Sequence, residues 1–118
     1  AFRAGKDLLY VHVEAPDEAG HNGDAAAKVQ AIEDFDARVV APLLSGLAED
    51  GVPVRGLMTP DHRTPVPLRT HSREPVPFVL WGQGVEADRM QAYNEVAAIQ
   101  GSLQLDSGHQ LIESLVHQ

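Results

Sequence analysis

Three short apolar runs limit what this chain can fold into: DLLYVHVE at 7–14, VPVRGLMT at 52–59 and VPFVLWG at 76–82. Each has strand length. The first is rich in Leu, Val and Tyr without a breaker, and reads as a strand buried on both faces, as in a parallel sheet. Between the first two runs, Val29, Ile32, Phe35, Val39, Val40, Leu43 and Leu47 recur at threes and fours. That spacing predicts an amphipathic helix over about 25–49, with Asn22 or Asp24 as its cap. Pro42 lies inside the pattern and predicts a kink or an early stop near Ala41. Asp50-Gly51 turns the chain. Shorter helices are expected near 93–100 and 107–117, the latter with Leu111, Ile112 and Leu115 inward. Strand alternating with helix makes this an α/β chain, a mainly parallel sheet with flanking helices. Three strands make only part of such a sheet, and the chain has no initiator Met. Both are expected of a portion of something longer.

Charge narrows the partners. Seventeen acidic residues against nine basic ones give a net charge of −8. No cluster of Lys or Arg reverses that field locally, so nucleic acid and anionic membranes are poor partners. A free anionic substrate would need a local source of positive charge, such as a metal ion. There is no cysteine, which excludes disulfides and thiolate–metal sites. No apolar run is long enough to span a bilayer.

Open parallel α/β sheets place ligand sites beyond the carboxyl ends of their strands. A polar loop, D17EAGH21, follows the first run. P60DHRT64 follows the second, and His71 precedes the third. Together they offer Asp17, His21, Asp61, His62 and His71. Carboxylate oxygens mixed with imidazole nitrogens suit zinc or manganese. Five such donors are enough for two divalent ions, and ions about 3.5–4 Å apart suit phosphoryl transfer. Taken singly, each motif is ordinary: Asp-x-x-x-His is usually a capping Asp with a surface His, and Pro-Asp is turn chemistry. The joint pattern after strands of one sheet is what points to metal. Of the flanking cations, Arg69 is the candidate substrate contact, because it lies two residues from a proposed ligand. Arg63 and Arg73 read as solvated or structurally paired. His12, sharing a strand face with Tyr10 and Glu14, reads as a packed, hydrogen-bonded residue. His109 and His117 read as surface residues, and Trp81 as core.

The stretches YVHVEAPDEAGHNGD, LMTPDHRTPVPLRTHSREPVPF and EVAAIQGSL occur in an order that resembles a known family. It is the C-terminal part of the archaeal-type, cofactor-independent (2,3-bisphosphoglycerate-independent) phosphoglycerate mutases, of the alkaline phosphatase superfamily. The resemblance runs from about Asp7 to the end. It implies that residues 1–118 are the C-terminal portion of a metal-binding, alkaline-phosphatase-like domain. It assigns Asp17, His21 and His71 to one divalent ion and Asp61 and His62 to a second, the candidates being Mn, Zn, Co or Mg. It implies interconversion of 2- and 3-phosphoglycerate through a phosphoserine, a cytoplasmic step of glycolysis and gluconeogenesis. The serine nucleophile, a further aspartate ligand and an inserted substrate domain would all lie before residue 1. The isolated chain is therefore expected to be inactive. Ser45, Ser72, Ser102, Ser107 and Ser114 read as structural or surface residues. The alternatives are another metallophosphatase or phosphomutase of the same superfamily, or a non-catalytic domain fragment.

Overall fold

Asp17 and His21, expected in a loop, stand on a helix, α1 (Ala15–Asn22). The computed structural model describes residues 1–116 and shows why. Pro16 opens α1, where a missing N–H costs nothing, and Asp17 and Glu18 occupy its positive end. His21 lies in the last turn. Gly23 then ends the helix at φ 73°, a conformation that glycine adopts without strain. The next residue starts α2 (Ala25–Phe35): Asp24 Oδ1 accepts the Ala27 N–H at 2.9 Å, as the sequence suggests.

The long helical pattern does not stop at Ala41. α2 passes into a π turn at Asp36–Val40 and then into α3 (Ala41–Asp50). In the π turn the Ala41 N–H reaches back five residues to the Asp36 carbonyl. The irregularity expected of Pro42 is thus taken up in the turn before it.

Residues 7–14, expected as a buried strand, form none. Leu8 is 63% exposed and Tyr10 80%. A strand needs the N–H and C=O groups of a neighbour, and none of the described residues pairs with this segment. Within it, His12 lies 3.8 Å from Glu14 and parallel to the Tyr10 ring, so its expected neighbours are present but its burial is not.

The expectation of a mainly parallel sheet is also corrected. Among the described residues the sheet has two strands, β1 (Arg55–Met58) and β2 (Val79–Gly82), and they run antiparallel. Their connection contains no helix, so nothing carries the chain back to the starting edge as a parallel crossover requires. The register places Gly56 opposite Trp81. A Cβ on Gly56 would run into the six-membered ring of that Trp. Arg55 extends the strand pair: its Nε donates to the Gln83 carbonyl at 3.0 Å and its Nη1 to the Leu115 carbonyl at 3.2 Å. The second bond ties β1 to the carbonyl end of α5 (Gln110–Val116). On α5, Leu111 and Leu115 are half-buried, but Ile112 is 51% exposed, contrary to the inward face expected for all three. α4 (Glu95–Ala98) is capped by Asn94, whose side chain accepts the Ala97 N–H at 2.9 Å. Just before it, the Tyr93 hydroxyl donates to the carbonyl of buried Pro77 at 3.1 Å. The last residue of the expected 107–117 helix, His117, lies outside the described residues.

These elements group into two compact units. One comprises Ala1–Pro42 with Thr64–Thr70; the other comprises Leu43–Arg63 and the chain from His71 onward. In the first, α1 packs on α2, with Ala19 and Gly20 buried. In the second, β1 pairs with β2 and meets α5. No helix of the described residues is long and apolar enough to cross a membrane.

Candidate metal centre

In the first unit, α1 carries Asp17 and His21 one turn apart on the same face. His21 Nε2 lies 3.4 Å from Asp17 Oδ2. The other ring nitrogen, Nδ1, lies 3.0 Å from the Arg69 carbonyl oxygen. A carbonyl only accepts, so Nδ1 carries the hydrogen. In the neutral imidazole, Nε2 then presents its lone pair to a carboxylate oxygen. A proton on Nε2 makes this contact an ion pair, and with Nε2 bare the two atoms are a nitrogen and an oxygen donor placed to share a metal ion. Donors bound at ~2.1 Å to one ion stand ~3.0–3.4 Å apart, depending on the angle between them. The observed separation fits. The backbone carbonyl on the far nitrogen is the usual orienting partner of a metal-binding histidine.

The carboxylate is held as well. Asp17 Oδ1 accepts the hydroxyl hydrogen of Thr64, which leaves Oδ2 on the side of His21. Thr64 is only 4% exposed, and its own carbonyl accepts from Lys28 Nζ of α2 at 2.6 Å.

Arg69 enters this site through its backbone. The 65–69 segment makes a helical turn, with the Leu68 and Arg69 N–H groups both on the Pro65 carbonyl at 2.9 and 3.0 Å. Arg69 closes it at φ 53°, left-handed and uncommon for a non-glycine residue. Its carbonyl meets His21. Its guanidinium lies over Gly23, where a Cβ would collide with it.

The second unit holds the other expected donors. Asp61 and His62 lie in the loop after β1, beyond Thr59 and Pro60. Asp61 Oδ1 accepts the His62 N–H at 3.0 Å, and Oδ2 lies 3.4 Å from His62 Nε2. The His62 and His71 rings stack with centroids 3.6 Å apart. A carboxylate and two imidazoles are thereby gathered within one unit. The neck of the intervening excursion is closed by a bridge between Arg63 and Ser72. Arg63 donates from Nε to the Pro75 carbonyl at 2.7 Å, which makes it a structural residue, as its sequence context suggests.

Thr64 and Lys28 escaped the sequence reading. A threonine before proline is ordinary loop chemistry. A lysine on a helix at 25–35 is ordinary surface. Only the fold gives either a partner in the site.

The chain resembles known proteins over nearly its whole length. The metalloenzyme superfamily pattern matches residues 2–110. The chain is 48% identical over 110 residues to a 2,3-bisphosphoglycerate-independent phosphoglycerate mutase of Methanothrix thermoacetophila, which covers 93% of this chain and 28% of the relative. It is 46% identical over 112 residues to the enzyme of that name from Methanosarcina barkeri, covering 94% and 28% respectively. The chain thus spans little more than a quarter of the length of these relatives. The solved structure of the PH0037 protein from Pyrococcus horikoshii superposes with a TM-score of 0.81 at 29% identity, covering 97% of this chain and 34% of that one.

Proposed function

Since this chain belongs to the metalloenzyme superfamily, we propose that it supplies metal-binding residues to an enzyme that interconverts 2- and 3-phosphoglycerate. The observation that carries this reading is the close approach of two metal-ligating atoms, His21 Nε2 and Asp17 Oδ2, at 3.4 Å. The name shared by the archaeal relatives supports the substrate class.

In this reading Asp17 and His21 of one unit, and Asp61, His62 and His71 of the other, are the ligands of two divalent ions among Mn, Zn, Co and Mg. When bound, such ions supply charge neutralisation to a transferring phosphoryl group and lower the pKa of an attacking hydroxyl. Each residue has a separable task. The His21 ring is held by the Arg69 carbonyl with Nε2 turned toward Asp17, and Asp17 offers one oxygen there while Thr64 holds the other. The net charge of −8 would repel a phosphoglycerate anion, which makes such cations necessary for substrate capture. The Arg69 guanidinium is the proposed contact to substrate carboxylate or phosphate. No serine of this chain is assigned as nucleophile. The phosphoserine route uses one from the longer polypeptide, so the chain alone is inactive. The reaction is a cytoplasmic step of glycolysis and gluconeogenesis.

A chimera tests the reading. This chain replaces the matching 110-residue segment of the Methanothrix relative, and the product is assayed for mutase turnover with saturating manganese. Turnover in the chimera, lost in its Asp61→Ala and Asp17→Ala variants, is the expected result. A folded chimera in which either alanine variant keeps near-normal turnover would overturn the ligand assignment.

A further inference from the structure

We propose that Thr64 is a positioning residue for the Asp17–His21 pair, acting through Asp17 and never touching the ion itself. The inference rests on the metal reading above and adds the residue that sets the pair's geometry.

A carboxylate on a half-exposed helix face rotates about its Cβ–Cγ bond and presents either oxygen. Thr64 removes that freedom. Its hydroxyl donates to Oδ1, so the oxygen turned toward His21 is Oδ2. The donor is itself immobilised from three sides. Its residue is buried at 4% exposure. Its carbonyl accepts from Lys28 Nζ at 2.6 Å, which ties it to α2. Against α1 it packs so closely that a Cβ on Gly20 would lie 2.6 Å from the Thr64 oxygen and 2.9 Å from its methyl carbon. The hydroxyl therefore reaches Asp17 from a fixed point between two helices.

The same short segment serves the other donor. Five residues after Thr64, the Arg69 carbonyl accepts from His21 Nδ1 and fixes which nitrogen faces the carboxylate. Both members of the pair are thus oriented by the 64–69 excursion, one through a hydroxyl and one through a backbone carbonyl. Orienting partners of this kind change metal affinity by about 10–100-fold when removed.

The test uses the 118-residue chain, Zn2+ alone as the probe, and titration calorimetry. Nitrogen NMR of the His21 ring identifies the site that is filled. Thr64→Val keeps the shape and removes the hydroxyl; Thr64→Ser keeps the hydroxyl. The expected result is that wild type binds with a shift at His21 Nε2, Thr64→Val binds about 10–100-fold more weakly, and Thr64→Ser returns close to wild type. Denaturant unfolding of each variant establishes that it folds. Thr64→Ala provides a second hydroxyl-free variant if valine is not accommodated. A folded Thr64→Val or Thr64→Ala chain that binds zinc like wild type overturns the role of Thr64 alone. So does failure of both to fold while Thr64→Ser folds, since the residue is then structural. A wild-type chain that takes up no zinc at His21 overturns the metal reading itself, and this inference with it.

Discussion

His21 Nε2 and Asp17 Oδ2 face each other at 3.4 Å, while the remaining polar atom of each side chain is engaged elsewhere, Nδ1 by the Arg69 carbonyl and Oδ1 by Thr64. The two atoms left facing each other are the donors that a metal ion would join in the proposed reading. If the pair binds metal as proposed, metal content sets part of the chain's stability.

Zinc should therefore stabilise the chain. A ligand that binds only the folded form adds about 2.7 kcal/mol at a hundredfold excess over its Kd. Thermal or denaturant unfolding with and without Zn2+ at that excess should show the increase, and a chelator should reverse it. Asp17→Asn and His21→Ala should each lose most of the zinc effect while folding like the metal-free wild type, because both side chains are partly or largely exposed. An equal zinc effect in both variants would remove the pair from the site.

Arg69 separates a backbone role from a side-chain role. Arg69→Gly keeps the carbonyl that holds His21 and relieves a left-handed non-glycine residue, a conformation that costs on the order of 1 kcal/mol. Zinc affinity should be unchanged and stability equal or slightly higher. Arg69→Pro cannot adopt φ 53° and loses the N–H that bonds Pro65, so zinc binding should fall sharply. If Arg69→Gly loses zinc as Arg69→Pro does, the guanidinium contributes to the site.

Gly56 is required by its cross-strand neighbour. Gly56→Ala drives a methyl group into the Trp81 ring. Overpacking of this kind costs about 1–3 kcal/mol. The chain has one tryptophan, so its fluorescence reports this strand pair directly during denaturant unfolding. A variant with an unshifted midpoint and an unchanged emission maximum would show that the Trp81 ring swings away freely.

Tyr93 predicts alkaline behaviour. Burial, together with the nearby Glu95 carboxylate, pushes its phenol up from the ordinary 10 to about 12. A raised folded-state value favours the neutral phenol, so its contribution to stability is complete below about pH 10. It fades as pH rises through 12. Titration by tyrosinate absorbance should show a late step that Tyr93→Phe abolishes, and the same variant should flatten the loss of stability in that window. A single early step for both tyrosines would mean that the Tyr93 hydroxyl is not held against Pro77.

Much of this was legible in the residues. Asp61-His62 after an apolar run, the helical period from Val29 to Leu47, and the cap at Asp24 all follow from local chemistry. The Asp17–His21 spacing does bring the two side chains together, 3.4 Å apart, but on a helix rather than in a loop. The run DLLYVHVE drew the eye to a strand ending in a loop. The helix signals were present in Pro16, in the acids beside it and in Gly23. The parallel sheet failed for a different reason. Strand direction depends on what connects the strands, and the proline-studded stretch between β1 and β2 supplies no crossover helix. Thr64 lay beyond sequence reading altogether, because its importance comes from two helices brought to it by the fold.

The uncovered segment from Leu8 to Val13 has a colloidal consequence. In the isolated chain its apolar side chains stand in water beside backbone groups that no strand of the described residues pairs. Such a segment is a template on which a second molecule can add a strand. What opposes that association is the mutual repulsion of molecules that each carry eight excess negative charges. Repulsion is long-ranged in dilute buffer and short-ranged in salt, with a reach of about 10 Å at 0.1 M. Handling of the protein therefore turns on ionic strength and acidity: low salt and neutral pH keep the chains apart, and salting or mild acidification lets the sticky segment find its like.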